Sequence, residues 1–256
     1  MTPTIYCFCT KEKDNILSAD NQKNLILNSN NCSEEEKNNL LSRNFLLDCN
    51  GNSITHLNRY FGMLTGLYWV WKNSKESHVG ICTYRIFWKD DISKLNMDQN
   101  TIIVPKKINV NTAISNPLKD HYNIIEHYAH CHGDIMLKFL YGTLKTENTQ
   151  LTSNMIDDLL NQHEMYPFNM FITSKPIFDK VCEILFELIF SMYSSYKYFF
   201  SELEKQTGQI RFIDFLSERL LHAIFMNLDE LIPNINKVEM ETKHFPHNYK
   251  MMTGAT

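Results

Sequence analysis

Apolar residues occur in two patterns along this chain. Some form short continuous runs, and others recur at intervals of three and four. The short runs predict strands. Thr4–Cys9 reads Thr-Ile-Tyr-Cys-Phe-Cys, apolar on both faces, as a buried strand of a parallel sheet does. Residues 78–87 predict a second strand with polar chemistry arriving at its end, residues 101–104 a third closed by Pro105, and residues 169–173 a fourth. The spaced runs predict helices. Over residues 59–73, Tyr60, Leu64, Leu67, Tyr68 and Trp71 share one helical stripe, with Asn58 as N-cap. Residues 117–144, 153–163, 176–200 and 210–228 read as further helices, that at 176 opening on Pro. Residues 18–52 are rich in Asn, Ser and charge and predict short helices and loops. Past Leu231 the pattern fades into a polar tail.

Strands alternating with helices predict an α/β fold, a mostly parallel sheet flanked by helices with a helical C-terminal part. No repeat or low-complexity linker divides the 256 residues, so one domain over 1–256 is expected: 1–110 as one half, 111–230 as the other, 231–256 as the tail. In such sheets ligands sit at the carboxyl ends of the strands. That rule singles out Thr10 and Lys11, Tyr84 and Arg85, and residues 173–175.

Composition narrows the classes. At 43% apolar residues the chain can bury a sizeable core, and a net charge of −4 argues against nucleic-acid binding by bulk electrostatics. Seven scattered cysteines with no C-x-x-C favour free thiols in a reducing cytoplasm over disulfides or zinc. No signal peptide is visible at the start. The most apolar stretch, residues 181–192, carries Glu183 and Glu187 and falls short of the roughly 20 residues a bilayer span needs.

Arg85 at a strand end places a permanent cation at the ligand edge, where a guanidinium grips phosphate bidentately. Beside it, Tyr84 could stack on a base or sugar. The plainer reading pairs Arg85 with Asp90 or Asp91. Asn58 is either a simple cap or the start of a helix facing a diphosphate. Tyr68, Trp69 and Trp71 read as core. Glu218 lies near an apolar stripe, where a carboxylate needs a partner or a task as a base; otherwise it and Arg219 are charges at a helix edge. His121, His127, His130 and His132 with Asp134 could ligate a metal, but a solvated helix face fits them better. The chain has no D-x-D, G-x-G-x-x-G or P-loop motif, so an acidic clamp for Mn²⁺ or Mg²⁺ is not evident, although either ion remains open.

Several blocks together resemble a known family. They are Asn52-Ser53-Ile54, Asn58, residues 64–73 (LTGLYWVWKN), residues 79–85 (VGICTYR), residues 166–172 (YPFNMFI) and residues 215–221 (FLSERLL). In this order they resemble bacterial capsular and exopolysaccharide biosynthesis glycosyltransferases, long filed as a domain of unknown function. The resemblance implies a GT-A-like, Rossmann-related fold and transfer of a sugar from a nucleotide sugar, a UDP-sugar first, to a glycan or lipid-linked glycan. Some relatives look like galactosyl- or galactofuranosyltransferases. It implies a cytoplasmic enzyme with at most peripheral contact with the inner face of the membrane. Thr10, Lys11, Asn58, Tyr84 and Arg85 would bind the donor, Lys11 and Arg85 countering its diphosphate. Asn169 and Arg219 would face the acceptor, with Glu218 as base if the reaction inverts. The chain departs from the family pattern at Thr10 (histidine there), Met63 (glutamate), Thr83 (histidine) and Ile86 (arginine). Those departures leave two alternatives, an inactive glycan- or partner-binding relative and an effector that glycosylates a host protein.

Overall fold

A computed structural model describes residues 1–10, 21–113, 122–208 and 210–244. Seven strands form its central sheet: β1 (Thr4–Cys9), β2 (Gln22–Ile26), β3 (Leu46–Leu47), β4 (His78–Thr83), β5 (Thr101–Pro105), β6 (Ile172–Ser174) and β7 (Asn236–Met240). Their order across the sheet is β3-β2-β1-β4-β6-β5-β7. Every pairing is parallel except those of β6, which runs antiparallel to both β4 and β5. The expected α/β, mostly parallel sheet is therefore present, with one reversed strand near its middle.

Alternation along β1 assigns its side chains to two cores. Tyr6 and Phe8 enter the larger one, built with α2 (Leu64–Asn73), α3 (Ile124–His132), α4 (Lys175–Tyr196) and α5 (Phe212–Met226). Ile5, Cys7 and Cys9 enter a smaller one, closed by Leu40 of α1 (Glu34–Ser42) and by Phe87 and Trp88. All seven cysteines are free thiols. The aromatic stripe of α2 packs as core: Trp71 stacks on Phe186 at 5.5 Å, and Tyr68 meets Phe186 and Phe190 edge-on. No helix among the described residues is long and apolar enough to cross a membrane.

Several sequence expectations change. In place of one helix over 117–144 the described residues form two, Ile124–His132 and Ile135–Thr146, and the expected loops and short helices of 18–52 include β2. The helix predicted over residues 59–73 is broken. Asn58–Phe61 makes a single turn, Gly62 takes φ +48°, and α2 begins after Met63. Asn58 is thus a helical residue that closes the turn at residues 55–57, and not the N-cap expected of it. The break has a steric cause, because a Cβ on Gly62 would lie 2.0 Å from the Asp214 carboxylate. The strand predicted over 78–87 turns after Thr83. Its hydroxyl accepts from the Arg85 and Ile86 amides at 3.3 and 3.1 Å, and Ile86–Trp88 then pairs with Thr242–His244. The strand predicted over 169–173 starts at Ile172, preceded by Phe168 and Asn169 at φ 77° and 52°. Finally, the residues expected as a polar tail supply β7, the sheet edge beside β5.

Helix α2 lies close on the sheet through Gly66, where a Cβ would meet Leu27 at 2.6 Å and Phe8 at 3.0 Å. Gly66→Ala should therefore destabilise the protein by about 1–3 kcal/mol, despite a gain of roughly 1 kcal/mol in helix propensity. The urea midpoint checks this; a midpoint above wild type would show that α2 can lift without cost.

Candidate functional site

The carboxyl ends of β1, β2 and β4, together with the chain entering β6, open on a cavity of about 1210 Å³. The strand-end wall carries Phe8, Thr10, Leu27, Thr83, Tyr84 and Arg85. The opposite wall comes from the turn at 58–63 (Asn58, Gly62, Met63) and from α5 and its approach (Arg211, Asp214, Phe215, Glu218). Phe168 and His244 also reach the cavity.

A buried carboxylate shapes the first wall. Asp48, fully buried after β3, accepts from Asn28 N, Ser29 N, Ser29 Oγ, Thr55 Oγ1 and Thr65 Oγ1 at 2.7–3.1 Å. It thereby ties the loop after β2 to the first turn of α2. Asn58 joins the same cluster, its Nδ2 donating to Gly62 O at 3.0 Å and to Thr65 Oγ1 at 2.9 Å. Its role here is to hold the broken helix, with the side chain at the cavity edge.

Arg85 is exposed and packs over Tyr84, 4.9 Å from the ring centroid. The Thr83 turn presents both to the cavity. Asp91 bonds Ser93 and Lys94 instead of Arg85, and Asp90 and Asp91 line a separate cavity of about 260 Å³ with Trp88 and Cys82. Thr10 lines the main cavity; Lys11 lies outside the described residues.

On α5 the predicted residues divide. Glu218 reaches the cavity, half-buried, with its carboxyl raised by burial and partly restored by Arg219. Arg219, expected on the acceptor side, lies behind that wall at 3% exposure. Its Nη1 donates to Glu218 Oε2 and Phe215 O at 3.1 and 3.0 Å, and its Nη2 meets His127 Nδ1 at 3.0 Å. A guanidinium only donates, so His127 accepts there and is neutral. Burial, then Arg219, lowers its pKa to about 4. His127 is thus a buried partner and not part of a solvated helix face, whereas His130 is exposed. Asn169 is also buried. Its Nδ2 donates to Ser217 Oγ at 2.9 Å, which fastens the β6 approach to α5, so its contribution to the site is positional.

Several cavity residues escaped the sequence reading, two of them charged groups on the α5 wall. Arg211 adds a second cation beside the α5 start. Asp214 lies one helical turn before Glu218, at 7% exposure. Its Oδ1 accepts from Met63 N at 3.0 Å. Burial, then the neighbouring Glu218, pushes its pKa up to about 7. The i, i+4 spacing of two carboxylates on an apolar helix was a visible signal. Among the described residues no group of three or more His, Cys, Asp or Glu side chains could hold a metal ion.

A family model described as a domain of unknown function (DUF4422) matches residues 5–230. The fold matches a solved apo structure of the WbbM bifunctional glycosyltransferase, with a TM-score of 0.64 at 20% identity. The match covers 96% of this chain but 46% of that one, so the chain spans less than half of the protein it resembles. At that identity the likeness establishes a GT-A-like fold. No curated protein sequence matches the chain.

The Asp48 cluster generates a stability prediction. Asp48→Ala leaves five donors without their acceptor in a buried place and should cost about 3 kcal/mol or more. Equilibrium urea unfolding measures it. A loss under about 1 kcal/mol would mean that water replaces the carboxylate at no penalty.

Proposed function

The chain belongs to the family described as a domain of unknown function (DUF4422), and we propose that it is a glycosyltransferase moving a sugar from a nucleotide sugar to a glycan. One observation carries the reading. One large cavity is lined both by a strand-end wall bearing Arg85 and by carboxylates on α5. Transfer separates charge between groups of these two kinds. The leaving diphosphate gains negative charge, which a guanidinium stabilises, and the acceptor hydroxyl loses a proton, which a carboxylate can take. The cavity exceeds the usual 300–1,000 Å³ of a small-molecule pocket, which leaves room for a nucleotide sugar and part of an acceptor. The fold shared with a bifunctional glycosyltransferase supports the same reading.

In this reading Thr10, Tyr84, Arg85 and Asn58 border the donor; Lys11, expected to counter the diphosphate, lies outside the described residues. A UDP-sugar, with galactose or galactofuranose as the sugar, is the donor to try first. Glu218 faces the acceptor, a polysaccharide or a lipid-linked glycan at the inner face of the membrane. Charge on the diphosphate is met by Arg85 and Arg211. The second reading is an inactive relative that binds a glycan or partner, and the loss of glutamate at Met63 favours it.

A thermal-shift panel of nucleoside diphosphates and UDP-sugars, followed by an assay of UDP release, tests the proposal. At least one UDP-sugar should stabilise the protein and be turned over. Arg85→Ala should weaken UDP binding about 10- to 100-fold, as loss of a charge-assisted contact does, and should abolish turnover with the melting temperature near wild type. Full turnover in that variant would remove Arg85 from the mechanism, and the absence of any nucleotide effect would favour the binding relative.

A further inference from the structure

The α5 wall presents two carboxylates in different settings, and the difference assigns them different work. Glu218 bonds Arg219, whose guanidinium is buried and held from behind by His127. Protonating Glu218 would strip a buried cation of its counter-charge. Asp214 has no such tie and forms no ion pair among the described residues. Its Oδ1 is held by Met63 N, and its Oδ2 occupies the place a side chain on residue 62 would take, at the cavity surface beside Gly62. That contact with Met63 fastens Asp214 to the turn on the same wall of the cavity.

We propose that Asp214 takes the proton of the acceptor hydroxyl, while Glu218, pinned by Arg219, stays ionised beside it. This rests on the glycosyl-transfer reading above. The acceptor oxygen forms the new bond to the anomeric carbon as the bond from that carbon to the diphosphate breaks. The electron pair leaves with the nucleoside diphosphate, and the hydroxyl proton passes to Asp214 Oδ2. One displacement of this kind inverts the anomeric configuration.

The charged groups around Asp214 can be named. Glu218 and Arg211 share its helix, and Arg85, Glu36 and His244 line the same cavity. The turn packed against it adds only the Met63 amide, since Arg59 pairs with Glu204 and Tyr60 packs on Phe200. Asp214 must be ionised to accept a proton, and its pKa is raised to about 7. Turnover should therefore fall as pH drops below about 7. Removing the charge of Glu218 should move that acid limb to lower pH, because Glu218 is the neighbouring charge that raises Asp214, whereas Arg211 lowers it.

The test uses the full chain, UDP as binding probe, and UDP release from the best UDP-sugar of the panel with water as acceptor. Asp214→Asn can still accept from Met63 N, so its fold and its stabilisation by UDP should match wild type. Its turnover should drop by roughly 10²–10⁴-fold. Glu218→Gln should retain measurable turnover with the acid limb displaced to lower pH. Turnover within threefold of wild type in Asp214→Asn, or an unmoved limb in Glu218→Gln, overturns the assignment. Should Asp214→Asn fail to fold, the limb in Glu218→Gln decides alone. If UDP fails to stabilise even the wild-type protein, the transferase reading itself falls and takes this assignment with it.

Discussion

A single buried carboxylate holds the strand-end wall together. Asp48 has no exposed surface, yet five donors from three separate stretches of chain converge on it. Such a group is tolerable in a core only when its lone pairs are filled. Filling them forces the loop after β2, the turn at Thr55 and the start of α2 into one arrangement. Ser29 extends the cluster by accepting the Cys49 amide at 3.0 Å. Because Thr65 is fixed, Gly66 settles against Phe8 and Leu27, both cavity residues. The shape of the site on this side thus follows from one polar contact set and one missing Cβ.

The opposite wall is built by a different device. The chain breaks its helix at Gly62 so that an aspartate from a helix about 150 residues further along the chain can reach the next amide. Arg219 and His127 then brace Glu218 from inside the core, where the cation and the neutral imidazole satisfy one another. Neither bracing residue touches the cavity, although both determine the charge state of a group that does. On the first wall Thr83 has a clear local task, closing the turn that presents Tyr84 and Arg85.

Much of this was legible in the sequence. β1, β4 and β5 are continuous apolar runs because they are buried on both sides, and their pattern admits few other readings. β2 and β7 were missed for the converse reason. Gln-Lys-Asn-Leu-Ile and Asn-Lys-Val-Glu-Met sit toward the sheet margins, where backbone pairing does the work and side chains stay polar. The site was half legible. Strand ends pointed to Arg85 without any outside information. On α5, helix geometry alone separates the acids from Arg219: residues four apart lie about 40° apart around the axis, and adjacent ones about 100°. Asp214 and Glu218 therefore share a face, and Arg219 turns toward the core. Asn169 and the Gly62 break could not be read this way, because both depend on contacts between segments distant in the chain.

The physics of Asp214 also bears on whether this is an enzyme or an inert relative. Its pKa in the folded protein is about 7, against 3.8 ordinarily. Between those values the folded chain holds a proton that the unfolded chain releases, so stability falls as pH rises across that interval. At and above neutrality the ionised aspartate is a net cost to the fold, and an asparagine could accept the same Met63 amide without it. A module that only bound a partner would gain stability from that exchange and lose nothing. Proteins keep costly, ionisable groups in cavity walls where the ionisation itself is used. Asp214 therefore weighs against the inert reading.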